Sequence, residues 1–199
     1  MEFEQIMKER YATKLFDKRK IPEEKIQKLI DIIRLTPSSY NLQPWKIKII
    51  ADDETKKKLM PASFNQKQIE TCSHLLVLCA DIDILTRLEK ITKIMKENGT
   101  EDSKIKSYSS VIKEVVKSMK NEEILNWVQK QVYILLANIL NAAKYLGLDS
   151  CPMEGFEPKE YSKILNLPKN LIPTVLCPIG YAADTPRKKI RLEKEDIIF

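Results

Sequence analysis

The 199-residue chain reads as an α+β protein, with several helices packed on a small sheet whose strands lie far apart in sequence. Three observations carry that reading. LLVLCA at 75–80 is a continuous apolar run, suited to a strand buried on both faces. WKIKII at 45–50 alternates Trp45, Ile47 and Ile49 with Lys46 and Lys48, the period of a half-buried strand. VYILLANILNAAKYL at 132–146 is apolar on most sides, so the helix carrying it, about 122–146, should run through the core.

The remaining elements follow in order. Residues 2–9 form a charged amphipathic start and read as a short helix. Residues 22–35 read as a second, with Pro22 at its first position, Glu23 and Glu24 in its first turn, and Ile26, Leu29, Ile30 and Ile33 on one face. Thr36-Pro37 ends it, because the residue before proline resists helical geometry. Residues 53–60 suggest a surface helix. Ile84, Leu88, Ile91 and Met95 form a stripe that closes at Asn98-Gly99, and Ile105, Tyr108, Ile112, Val115 and Met119 form another. Both stripes read as packing surface. Gly147 sits where a helix C-cap belongs. A short helix at 158–165 and a strand at 174–181 complete the body, before a tail at 187–199 that is basic, then acidic, then apolar.

Composition narrows the function classes. With 43% hydrophobic and 31% charged residues, the chain is an ordinary globular one, long enough to bury the core of one domain. The net charge of +6 is spread along the chain and aromatics are only 7%, which argues against a nucleic-acid partner. Cys72, Cys79, Cys151 and Cys177 form no C-x-x-C and are expected as reduced, buried thiols. The N-terminus lacks signal-peptide character, and the longest apolar stretch is too short and polar to span a bilayer. A soluble, cytoplasmic protein is expected.

Exclusion also limits the chemistry. His74 is the single histidine, so a histidine metal cluster is out, and a hydrogen-bonded strand-end residue is the natural reading. Four scattered glycines cannot form G-x-G-x-x-G or a P-loop, so any phosphate must be held by side-chain cations. Arg10 and Lys14 flank the end of the first helix in RYATK. Lys189 and Arg191, two apart in KKIRL, would point the same way on an extended segment. Each pair by itself is equally at home on solvated surface, and spacing alone does not bring the two together. In CPMEGF, Gly155 after Glu154 suggests a turn whose amides could face a ligand, or a plain connection between helices. PSSYNLQPW at 37–45 sets hydrogen-bonding side chains before a strand, with no local reason for them.

Taken in order, RYATKLFD at 10–17, PSSYNLQPW at 37–45, FNQKQIETCSH at 64–74, WVQKQVY at 127–133, GLDSCPMEGF at 147–156 and GY…KKIRL at 180–192 resemble the FMN-dependent nitroreductase family. The likeness is to its oxygen-insensitive NAD(P)H nitroreductase and dihydropteridine reductase branch. It runs from residue 3 to 192 and is poor at about 82–122. The resemblance implies a nitroreductase-like fold over 1–199 as a single domain, with a small central mixed sheet and the long core helix at a homodimer interface. It also implies that 82–122 is a variable helical excursion over the active-site mouth.

The same resemblance implies site roles. Ser38, Ser39 and Asn41 match a loop that reaches the flavin of the other subunit. Arg10, Lys14, Lys189 and Arg191 match contacts to the FMN phosphate and the polar edge of the flavin, with Tyr11 and Ala12 in the same segment. Asn65 matches an amide on the pyrimidine side of the ring. Pro152, Met153, Glu154 and Gly155 match the segment whose backbone faces the ring, with an amide directed at N5. The implied reaction is ping-pong hydride transfer from NADH or NADPH through N5 to nitroaromatics, quinones or similar small oxidants. No side chain need be catalytic and no metal is expected. Flavin or enone reduction, or dehalogenation, is the alternative within the same fold. The chain departs from the pattern at Ala12, commonly serine, and at Gln68, where close relatives carry lysine beside flavin N1 and O2.

Overall fold

The computed structural model describes residues 2–199. At its centre β2 (His74–Asp81) has all eight residues buried, as its unbroken apolar sequence requires. β1 (Trp45–Ile50) pairs with one edge of β2, running Trp45 opposite Ala80 to Ile50 opposite Leu75. β4 (Leu171–Gly180) pairs with the other, and the two-residue β3 (Asp149–Ser150) closes the order β1-β2-β4-β3. All the strand pairings are antiparallel, which corrects the expectation of a mixed sheet. Parallel pairing is confined to an isolated bridge between Ala12 and Ser150.

β4 begins three residues before its expected start at 174. Pro173 hid that beginning, since proline cannot donate to a ladder; a bulge opposite Leu78 and Cys79 accommodates it.

Seven helices of the expected set are present: α1 (Phe3–Glu9), α2 (Glu23–Ile33), α3 (Asp53–Leu59), α5 (Ile84–Glu97), α6 (Asp102–Ser118), α7 (Asn121–Tyr145) and α8 (Pro158–Ile164). α4 (Lys67–Thr71), only five residues long, was not anticipated. Pro22 caps α2 from outside rather than occupying its first turn. Gly147 has φ +71°, the left-handed conformation a helix C-cap demands.

Two apolar layers flank the sheet. One gathers α2, α7 and the first residues of α5 over Leu76, Leu78, Val175 and Cys177. The other gathers Leu59, Ile69, Met153, Phe156 and Tyr161 over Leu75, Val77 and Leu176. α7 buries Val128, Val132, Leu135, Leu136, Ile139 and Ala143, yet leaves Tyr133, Ile134 and Tyr145 exposed. The α5 and α6 stripes are only partly packing surface: Ile84, Leu88 and Ile112 are buried, whereas Ile91, Met95 and Val115 are half-covered. His74 is buried and its Nδ1 lies 2.9 Å from Ser73 Oγ, the satisfied strand-end histidine that was expected. All four cysteines are free and buried.

Candidate functional site

The two ends of the chain meet. α1 stops at Glu9, and Arg10 continues in extended conformation. Lys189 Nζ donates to the carbonyl oxygens of Met7, Lys8 and Arg10, the last two at 3.0 Å. Those bonds satisfy carbonyls that a helix end leaves without partners. They also occupy all three donors of the ammonium, so Lys189 acts on its surroundings through charge. Its pKa is lowered by desolvation and then by the charges of Arg10 and Arg191, which places the three cations within Coulombic reach. Among the described residues none of Arg10, Lys14, Lys189 and Arg191 has a side-chain ion pair.

The RYATK segment is clamped by a residue that sequence reading missed. Asp184 accepts from the Tyr11 hydroxyl at 2.9 Å and from the Lys14 backbone N–H at 2.7 Å. Burial, and then the bond to Asp184, push the Tyr11 phenol up to about 12. Tyr11, Ala12, Lys14, Asp184, Thr185 and Arg187 line a cleft of about 430 Å³, within the range of small-ligand sites. In the same segment Thr13 Oγ1 is buried with no hydrogen-bond partner among the described residues.

Lys14 connects this cleft to the second group of residues, its Nζ lying 3.4 Å from Cys151 Sγ. Beyond Cys151, Pro152 is half-buried and Met153 is pinned to Leu176 by two backbone bonds of 2.9 Å. Glu154 and Gly155 are exposed, and among the described residues neither backbone N–H has a protein acceptor. The Gly155 carbonyl accepts from Gln66 Nε2 at 2.7 Å, and Gln66 Oε1 accepts from the buried Gln68 at 3.1 Å. A Cβ at Gly155 would stand 3.0 Å from Gln66 Nε2, so only glycine leaves that approach free of crowding. Phe64 and Asn65 both have positive φ, +53° and +54°, which turns the loop sharply before α4. Asn65, Gln68 and Gly155 are thereby gathered around Gln66.

Tyr133 is a further residue the sequence did not disclose. Its hydroxyl donates to Glu154 Oε1 at 2.6 Å and holds the turn against α7. Desolvation, and then that bond, push this phenol up to about 12.

The serine loop bonds to itself and to α7. Ser38 Oγ accepts from Gln43 N–H at 2.8 Å, Ser39 N–H donates to Gln131 Oε1 at 2.9 Å, and Asn41 Oδ1 accepts from Gln43 Nε2 at 3.1 Å. Tyr40 and Asn41 both have φ +52°, and Tyr40 packs edge-on against Trp127. No hydrogen bond among the described residues joins this loop to the cation cluster or to residues 152–155.

The segment that lines the cleft begins beside the cations Arg10, Lys189 and Arg191, and its Lys14 reaches Cys151, which precedes the turn bearing the two free amides. The comparisons are specific. Residues 7–181 match the Nitroreductase family model, and the chain belongs to the nitroreductase family. It is 34% identical to a Staphylococcus haemolyticus protein provisionally named NAD(P)H nitroreductase, covering 95% of this chain and 92% of that one. It is 30% identical to the NADH dehydrogenase of Thermus thermophilus, covering 95% and 91%. A nitroreductase-type protein from Exiguobacterium sibiricum, solved in complex with FMN, superposes with a TM-score of 0.91 at 26% identity, covering 100% of this chain and 97% of that one.

Proposed function

We propose that the protein is an NAD(P)H-dependent oxidoreductase that binds FMN in this cleft, works by a ping-pong sequence, and completes each site with a second copy of itself. The observation that carries the reading is the set of unpaired cations Arg10, Lys189 and Arg191, at the start of the segment whose Lys14 reaches Cys151 just ahead of the free amides of Glu154 and Gly155.

The residues fit the cofactor. A phosphate dianion matches the unpaired positive charge, and Arg10 and Arg191 have the forked donors for it. When bound, FMN supplies the redox chemistry, accepting hydride from NADH or NADPH and passing two electrons to a nitroaromatic, quinone or similar small oxidant. The chain positions and polarises. Lys14 sits between the phosphate end and the segment at 152–155. The Gly155 amide is free to donate to the ring, with Tyr133 holding Glu154 and Gln66 holding Gly155. The Tyr133 phenol stays protonated at neutral pH, so that support does not lapse in the working range.

The serine loop supports the dimer. Ser38, Ser39 and Asn41 make no hydrogen bond to the cleft residues of their own chain, which leaves them available to a partner's cleft. The exposed Tyr133, Ile134 and Tyr145 of α7 offer apolar area to bury there. α6 belongs to the same arrangement: Tyr108 donates to the Tyr40 carbonyl at 2.5 Å, so the 82–122 excursion is tied to the loop and contributes to the mouth. In this reading residues 1–199 form one domain, and the four reduced thiols suit the cytoplasm.

Initial rates test it. Double-reciprocal plots against NADH or NADPH at several fixed oxidant concentrations should give parallel lines. Intersecting lines would reject alternation of reductant and oxidant at one site.

A further inference from the structure

Outside the cleft, a separate, partly open cavity of about 180 Å³ lies between α3, α4 and the Lys18–Lys20 segment. Its lining residues include four lysines, Lys18, Lys20, Lys56 and Lys57, against two acids, Asp53 and Glu70, a surplus of two positive charges. Lys56 is only 2% exposed, which is rare for lysine and makes it a fixed part of the wall. Its Nζ donates to the Cys72 carbonyl at 2.7 Å and lies 2.8 Å from Asp53 Oδ1; Lys20 Nζ donates to the Ala51 carbonyl at 2.9 Å and to Asp53 Oδ1 at 3.2 Å. Each of these ammonium groups therefore keeps one of its three donors uncommitted. Lys18 and Lys57 have no ion pair or side-chain hydrogen bond among the described residues. Lys18 is held at φ +65°, a conformation that residues other than glycine, asparagine and aspartate seldom adopt and that recurs at ligand clamps.

We infer that this cavity is a binding site for a compact phosphate dianion, either free phosphate or a small monoester. Charge sets the class: one carboxylate, Asp53, already serves both Lys20 and Lys56, and the remaining lysines outnumber Glu70. Size sets the limit. At about 30 Å³ of liquid volume per water, the space holds the equivalent of roughly six waters, enough for a phosphate and too little for a nucleotide. The Cys72 thiol is not a reactive group there, because burial pushes it up to about 12. α4 gives the site a consequence. Thr71 in the wall accepts from Phe16 N–H at 3.2 Å, and Gln68, one turn earlier, belongs to the relay that ends on Gly155.

Calorimetric titration of the FMN-loaded protein with inorganic phosphate tests the inference, since bound FMN occupies the other phosphate site. Saturable binding is expected, weakened at least tenfold in the Lys18→Gln/Lys57→Gln double variant and unchanged in FMN-loaded Arg191→Ala. The two lysines are exposed, so the variant folds, and Lys57→Arg should retain binding. Methyl phosphate in a second arm separates the sources: tighter binding than phosphate assigns a monoester, weaker binding assigns the free anion. Absence of saturable binding, equal affinity in the double variant, or loss confined to Arg191→Ala would each overturn the assignment.

Discussion

Lys189 Nζ donates to the Arg10 carbonyl oxygen at 3.0 Å, across 179 positions of sequence. That bond closes the chain on itself and sets two further cations beside the α1 terminus. A cation at a helix C-terminus is favourable, and here it also binds the orphan carbonyls directly. Lys189→Met should therefore lower stability by about 0.5–1 kcal/mol in a denaturant melt, a modest figure because the site is partly exposed. An unchanged midpoint would mean that the contact does not hold the tail to α1.

Gln68 is buried and hydrogen-bonded to Gln66, so its side chain is committed to the relay ending on Gly155. Two-electron reduction of FMN leaves negative charge at the N1 and O2 edge, and a cation there favours the reduced cofactor. A charge at about 4 Å in an effective dielectric of 20 is worth on the order of 4 kcal/mol before desolvation. A quarter of that, about 1 kcal/mol, is roughly 20 mV for a two-electron couple. Gln68→Lys should raise the FMN midpoint potential by some tens of millivolts (about 20–60 mV) in a spectroelectrochemical titration. No rise would mean that position 68 does not tune the cofactor.

Three phenols report on the fold at high pH. Tyr11, Tyr133 and Tyr161 are each pushed up to about 12 from 10.0, in every case first by burial. The folded chain thus keeps protons that the unfolded chain releases. This contribution to stability is complete below pH 10 and is lost as pH rises through 12. Denaturation midpoints should fall across that interval, together with phenolate absorbance. Ordinary phenolate titration centred at 10 for all tyrosines would contradict the geometry.

The thiols should be silent. Burial pushes Cys72 and Cys79 up to about 12 and raises Cys151 and Cys177 as well. Thiolate is the nucleophile, so a thiol reagent should label none of the four rapidly in the native protein and all four after denaturation. A rapidly labelled native cysteine would point to an open route into the apolar layer that holds it, the first for Cys177 and the second for the other three.

Legibility followed contact range. β2 was plain because each residue of its run is apolar, and α7 because its apolar sequence is long. The start of β4 was hidden by Pro173, and α4 by having only five residues. At the site, Arg10, Lys14, Lys189 and Arg191 could be named from motifs, but their meeting could not, because it depends on a contact spanning nearly the whole chain. Asp184 and Tyr133 were missed for a related reason. Their partners lie 173 and 21 positions away, and neither residue carries a local pattern that announces a clamp.

The most direct measurement is equilibrium titration of the apoprotein with FMN, made on wild type, Arg10→Ala and Arg191→Ala. Each variant removes a charge-assisted contact worth roughly 1.5–3 kcal/mol, so FMN should bind about ten- to a hundredfold more weakly, with the fold intact by circular dichroism. Unchanged affinity in both variants would contradict the claim that the joined ends of the chain hold the cofactor's phosphate.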